Sequence, residues 1–359
     1  MANDNIKYTT VEQQIQKLLN QNLILNDVEY ASKSLHLYGY SNLIKSYREP
    51  YVITSGKSKV YRSGVSFEQV CSLYILDKNL RNAVMAAMLD LEEHIKEATA
   101  DVVAKSFGPH QEQYLSYKNY RNKRKRKKRF TLPGILDTMN ETLTTDKNPI
   151  YHYKTEHGIV PPWILFKSIY FSTIVNFIDL FKSTELDELV HLLYNGNKLN
   201  LSDEALRKLL LDTLYVCLEY RNASAHGGRI YNYNCHFKVR YAEIFSSDLS
   251  SKSRGFNQLL FLLSLLKYQA PLQRLNDVLR RELSRHCSRF PQDVTYLGQI
   301  LNINIVTKDV VYISNTSNKY HATPHCSGIK RAKELSLEEA ENKGYIPCKR
   351  CSYNGPPRK

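Results

Sequence analysis

Over residues 67–104 the apolar side chains Leu73, Leu76, Leu80, Val84, Met88, Leu91 and Ile95 recur at steps of three and four. That is the period of one face of an α-helix. A stripe this long is buried only against other helices, and the same period returns in shorter stretches. These are 11–24 (Ile15, Leu18, Leu19), 27–40 with a break at Gly39, 163–181, 187–193, 202–225 and 257–267. Helices joined by modest loops, with no internal repeat, predict a mainly α bundle over residues 8–290.

One stripe ends abnormally. Leu206, Leu209, Leu210, Thr213, Leu214, Cys217 and Leu218 are followed, in step, by Arg221, Asn222 and Ala225, with His226 four residues after Asn222. Burying an arginine and an asparagine costs several kcal/mol, of order 2–7 for a lone polar group, unless each is paired or wetted. A cleft or a subunit interface would wet them. Arginine is fixed in charge and fork-shaped for phosphate, and histidine titrates near neutrality, so the pair suits phosphodiester chemistry. Gly227-Gly228 stop the helix directly afterwards. Asn222 and His226 share a face, whereas Arg221 and His226 are about 140° apart on an ideal helix. Both reach one atom only if the helix end unwinds, the arginine reaches around, or two copies of the helix meet. The blander role for Arg221 is an interhelical salt bridge with an acid such as Asp77.

The chain has 359 residues, room for one large or two medium domains, and a formal charge of +15. With a pI near 9.3 it calls for a polyanionic partner, most simply nucleic acid, although enzymes of anionic metabolites are equally basic. The charge concentrates at Lys118, Arg121, Lys123, Arg124, Lys125, Arg126, Lys127, Lys128 and Arg129, nine cations in twelve residues with no acid among them. Like charges so dense predict a mobile loop or a frayed helix end. Its readings are a solvated surface loop, a phosphate-binding arm for RNA, or a nuclear-localisation composition. The 26 tyrosines are stacking surfaces for bases or half-buried helix contacts. No signal peptide precedes the first helix, and the oily stretch 259–266 is too short to span a bilayer, so a cytoplasmic protein without membrane contact is expected. Cys71, Cys217, Cys235 and Cys287 are scattered and three more cysteines cluster late, which fits a reducing compartment with one thiolate site. P-loop, GxSxG, HExxH and acidic metal-binding signatures are missing, so any cleavage is expected to need no metal cofactor.

Residues 291–309 read as a connector, and a compact α+β module follows at 310–355, opening on Val310-Val311-Tyr312-Ile313-Ser314. Cys348 and Cys351 form a CxxC knuckle, which lets two thiolates bind one tetrahedral Zn²⁺. Cys326 and an upstream histidine complete a Cys₃His set. His321 is preferred to His325, because sequence neighbours chelate one ion awkwardly. Such a closed site is structural; a redox CxxC and ordinary surface cysteines are the alternatives.

Two resemblances bear on these residues. The tail, through His321, Cys326, Gly344-Tyr345, Pro347, Cys348 and Cys351, resembles a small zinc-binding module related to the metal-binding part of the Ada DNA-repair protein. Arg221-Asn222-Ala223-Ser224-Ala225-His226-Gly227-Gly228-Arg229-Ile230-Tyr231-Asn232 resembles the RNxxAHxxRxxN signature of the Abi (abortive infection) family of bacterial phage-defence proteins, in the HEPN superfamily. Residues 11–19, the Leu73-to-Arg81 segment and Pro162-Trp163-Ile164-Leu165 resemble further parts of that family, over most of residues 8–270. The resemblance implies a HEPN-type helical bundle and metal-independent RNA cleavage. His226 would be the general acid/base, Arg221 would hold the scissile phosphate, Asn222 would orient the histidine or bind the phosphate, and Arg229 would add a cation. It also implies a site shared between two R-x4-6-H motifs. Arg81 and His94, thirteen apart, form no second motif, so a homodimer is expected. The alternative is a non-catalytic RNA-binding or regulatory HEPN protein. Some relatives are thought to work with a noncoding RNA, which the 118–129 run would suit.

Overall fold

The computed structural model describes residues 8–55, 58–246, 249–305, 310–321, 324, 326, 329 and 331–348. It is mainly helical, with a few small strands, as the periodicity predicts. The chain forms two compact units, one of residues 1–80, 278–299 and 304–359, the other of residues 81–277 and 300–303.

In the first unit, α1 (Val11–Asn20) starts on a capping box in which Thr10 and Gln13 satisfy each other's backbone amides. Helix α2 (Val28–Tyr38) is capped by Asp27 and stops at Gly39, whose φ of +78° suits glycine. The sequence pattern missed the hairpin that follows, β1 (Val52–Ser55) with β2 (Ser58–Tyr61), Val52 opposite Tyr61. Four-residue strands are too short to show a period. Helix α3 (Phe67–Phe107) continues into the second unit, and its predicted stripe, Leu73 to Ile95, is buried throughout.

The second unit holds α4 (Gln111–Tyr114), α5 (Leu132–Leu143), α6 (Ile150–His157), α7 (Pro162–Leu165), α8 (Phe171–Ile178), α9 (Ser183–Leu193), α10 (Gly196–Leu199), α11 (Asp203–Ala225), α12 (Tyr241–Phe245) and α13 (Gly255–Ser264). The continuous helix expected over 163–181 is broken. Ile169 and Tyr170 are extended (ψ 136° and 143°), which lets Ile169 turn inward while Tyr170 starts α8 in solvent. Almost all of α8 is buried, so its even apolarity gave no sign of the break. Helix α11 has α8, α9 and α13 packed around it.

The chain returns through α14 (Ala270–Arg289) and α15 (Val294–Leu301); the latter covers part of the expected connector. Within the first unit His286 is 1% exposed, with Nδ1 2.9 Å from the Ser72 hydroxyl and Nε2 2.9 Å from Asp293 Oδ2. Asp293 also accepts from Tyr51 and Gln69. The connectivity is that of a serine–histidine–aspartate relay, but a ring so thoroughly buried reaches no substrate. It braces α14 against α3. The tail consists of β3 (Val310–Ile313), β4 (Lys319–Tyr320), β5 (Lys333–Ser336), α16 (Leu337–Asn342) and β6 (Ile346–Pro347). Strands β3 and β5 pair antiparallel, β4 and β6 parallel, over a small core of Val311, Ile313, Tyr320 and Ala340.

Candidate functional site

Helix α11 is capped by Ser202, whose hydroxyl accepts from the Ala205 amide, with Asp203 and Glu204 in its first turn. Its buried stripe runs through Leu206, Leu209, Leu210, Thr213, Leu214 and Cys217 but finishes on Tyr220 and Ser224. Arg221 and Asn222 stand at its edge, half-buried, and so are only partly removed from water.

The helix then ends abruptly. The Gly227 amide donates to the Ser224 carbonyl (3.3 Å) and the Gly228 amide to Ala223 (2.8 Å), the paired bonds of a Schellman motif. Gly227 has φ +71°, and a Cβ on Gly228 would sit 2.9 Å from the Ala223 carbonyl oxygen. His226 is the C-cap (φ −92°, ψ 13°), exposed, its amide bonded to the Asn222 carbonyl. The helix therefore keeps its turn up to Ala225, and unwinding does not bring His226 beside Arg221.

Three residues of α3 attend this end of α11. Arg81 donates from Nη1 to the carbonyls of Gly227 (3.3 Å) and Gly228 (3.4 Å), a cation at a helix C-terminus, where the backbone dipole favours it. Buried Glu92 pairs with Lys96 at 2.8 Å and lies 3.8 Å from the Arg221 Nε. The acid beside Arg221 is thus Glu92. That contact is too long for a hydrogen bond, and both Arg221 Nε and Glu92 Oε2 are buried without a hydrogen-bond partner. Lys96 competes for the carboxylate, so Arg221 is oriented without being saturated. Sequence reasoning missed Glu92 and Lys96, because an acid four residues before a lysine is the commonest surface pair on any helix.

The following loop is tied back onto the same helix. Glu219 accepts from the amides of His236 and Phe237, both at 2.7 Å, and from the Tyr233 hydroxyl. Buried Asp212 takes the Arg240 guanidinium, Nε to Oδ1 3.0 Å. Between these ties Ile230 and Tyr231 are buried and Arg229 is half-buried. Burial alone would raise the Glu219 carboxyl, but these donors hold it below its ordinary 4.5. A depressed carboxyl stabilises the fold above its unfolded value, and the contribution disappears as pH falls through the lower folded value. Glu219→Gln should therefore cost about 1.5–3 kcal/mol at neutral pH, the scale of hydrogen bonds to a charged group. The gap to wild type should close below pH 4.5 in melting curves; a gap independent of pH would show that the charge is not the cause.

The basic run has an acidic partner that its composition does not show. Part of it is held by Asp179, from outside the run. The Lys123 ammonium is 3.1 Å from Asp179 Oδ1, Lys125 bonds Oδ2, and Arg121 reaches the Asp179 carbonyl. The Arg121 amide donates to Leu180, and Lys182 donates to the Lys118 carbonyl. Arg124, Arg126, Lys127, Lys128 and Arg129 remain exposed.

In the tail, parallel pairing of Lys319 with Ile346 and Tyr320 with Pro347 carries the next residues, His321 and Cys348, to neighbouring positions. With Cys326 they form a cluster whose ligand atoms all lie within 4.8 Å of one another. The Cys326 and Cys348 sulfurs are 4.0 Å apart; two thiolates on one tetrahedral zinc at ~2.3 Å would stand ~3.8 Å apart. The donor set fits a thiophilic ion. Cys351 and His325 lie outside the described residues. The six described cysteines are all buried and none is in a disulfide with another, and among the described residues no helix is long and apolar enough to cross a membrane.

A family model described as Abi-like protein matches residues 33–232, from α2 through α11 to the loop after it. No curated protein and no solved structure matches the chain. The match spans more than half of the sequence and includes the basic run, Arg221, Asn222, His226 and Arg229, and the chain belongs to the Abi-like protein family.

Proposed function

We propose that this chain is an endoribonuclease of phage defence, acting by abortive infection, with its reacting groups at the C-terminal end of α11. The observation that carries this reading is Arg221, held 3.8 Å from Glu92 with no hydrogen bond at Nε, one turn before an exposed histidine. An arginine kept in place yet unsaturated is prepared for an anion. His226 would take the proton of a ribose 2′-hydroxyl as that oxygen bonds to phosphorus, and a proton is returned to the departing 5′-oxygen. Arg221 would hold the phosphate and the charge that builds on it, with Asn222 fixing the imidazole or a phosphate oxygen and Arg229 adding a cation. The products are a 2′,3′-cyclic phosphate and a 5′-hydroxyl.

Because α11 stays helical to Ala225, the 140° between Arg221 and His226 is bridged most simply by a second copy of the helix, and a homodimer completes the site. His321, Cys326, Cys348 and Cys351 would hold a structural Zn²⁺ in a separate module, 310–355, leaving the cleavage chemistry without a metal requirement. The test is direct: purified protein should cut RNA in EDTA, and Arg221→Ala should lower the rate by about 10²–10³-fold, the scale of losing one charge-stabilising donor. If Arg221→Ala cuts normally, the assignment fails. The Glu92 ion pair favours a second reading, a non-catalytic RNA-binding protein; there Arg221→Ala would leave RNA affinity unaltered and no cleavage would occur.

A further inference from the structure

Exposure alternates along the basic run. Arg121, Lys123 and Lys125 are half-buried, while Arg124, Arg126, Lys127 and Lys128 are exposed and have no side-chain partner among the described residues. The inward lysines share one carboxylate, Asp179, and Lys125 also lies 3.5 Å from the Tyr215 hydroxyl. Tyr215 belongs to α11. Asn222 follows it by seven residues and His226 by eleven, so all three share a face within about 20°, and His226 lies about 16 Å further along the axis. The run is therefore fastened to the face of α11 that also carries Asn222 and His226, with Glu219 and the loop residue Phe237, whose ring stacks on Tyr215 at 5.2 Å, between them. Flat groups bracket the run: Tyr117, 47% exposed, precedes it, and the Arg129 guanidinium lies 4.7 Å over the Phe130 ring at its end.

We propose that residues 121–129 are a preformed rail for single-stranded RNA. Lys123 and Lys125 fasten it to Asp179 and Tyr215, while Arg124, Arg126, Lys127 and Lys128 take successive phosphates. The proposal rests on the reading that this end of α11 acts on RNA. A single strand is the matching partner because its unstacked bases can lie on Tyr117 and on the Arg129–Phe130 pair, whereas a duplex keeps its bases stacked inside.

The test is fluorescence anisotropy of a labelled oligouridylate of roughly 15 nucleotides, with full-length His226→Ala protein so that nothing is cut. Four phosphate contacts predict a slope of log affinity against log salt near −3, at about −0.7 per contact, and Arg124→Ala/Arg126→Ala should halve it. Asp179→Asn separates the rail from simple charge. Freeing two lysines would tighten binding if cations merely add up; loss of the rail's shape should weaken it severalfold. An unaltered slope in the arginine double variant overturns the proposal, as does tighter or unchanged binding by Asp179→Asn, or equal affinity for a duplex of the same length. The two arginines are exposed, so that arm of the test does not depend on the fold tolerating a change at Asp179. Normal binding by a wild-type protein that cuts nothing would sink the nuclease reading and leave the rail standing.

Discussion

Substituting alanine for His226 should slow RNA cleavage by about 10²–10⁴-fold, the range spanned by loss of a general acid/base. Stability should stay within about 0.5 kcal/mol of wild type, as for an ordinary surface change. His226 is an exposed C-cap whose ordering comes from its own amide and from the Gly227 and Gly228 bonds, and alanine keeps all three. RNA affinity should also persist, because the cations of the rail and Arg221 are untouched. If wild-type protein is toxic on expression, the variant should restore growth. Full toxicity or an unchanged rate in this variant, with normal melting, would remove histidine from the chemistry and the nuclease reading with it.

The end of α11 was legible in the sequence because its physics is local. A stripe at helical spacing ran into polar residues, and two glycines announced the stop; the structure adds that the buried stripe finishes on Tyr220 and Ser224, with Arg221 at its rim. Long helices such as α3 were legible for the same reason, since forty-one residues offer many repeats of one period. What escaped was tertiary. Nothing around Asp179 marks it as the anchor of a basic run more than fifty residues upstream. Glu92 looks like half of a surface pair until α11 is laid beside it. The break at Ile169 and Tyr170 lies inside uniformly apolar sequence, where only backbone angles distinguish one helix from two. Composition predicted that nine cations would repel one another; it could not show that the carboxylate at the end of α8 takes two of them.

The largest stability effect is expected at Cys348. If His321, Cys326, Cys348 and Cys351 hold zinc, Cys348→Ser should reduce bound metal from one ion per chain to none and expose the 310–348 segment to protease. The reason is size. The tail has Val311, Ile313, Tyr320 and Ala340 as its core, with Leu335, Leu337 and Tyr345 packed against them, and so small a core seldom sustains a fold unaided. Structural zinc supplies about 10–16 kcal/mol in comparable small modules, more than such a core can replace. Capping is not the weak point, for Ser336 and Glu339 close a capping box on α16. Cys217→Ser is the matched control: that thiol is buried in α11, where burial raises it to about 12 and keeps it protonated. It should leave zinc content unchanged. A Cys348→Ser protein that keeps its full zinc would place the metal elsewhere. Loss of cleavage in Cys348→Ser, with the α11 unit still folded and RNA still bound, would mean that the module does more than hold itself together.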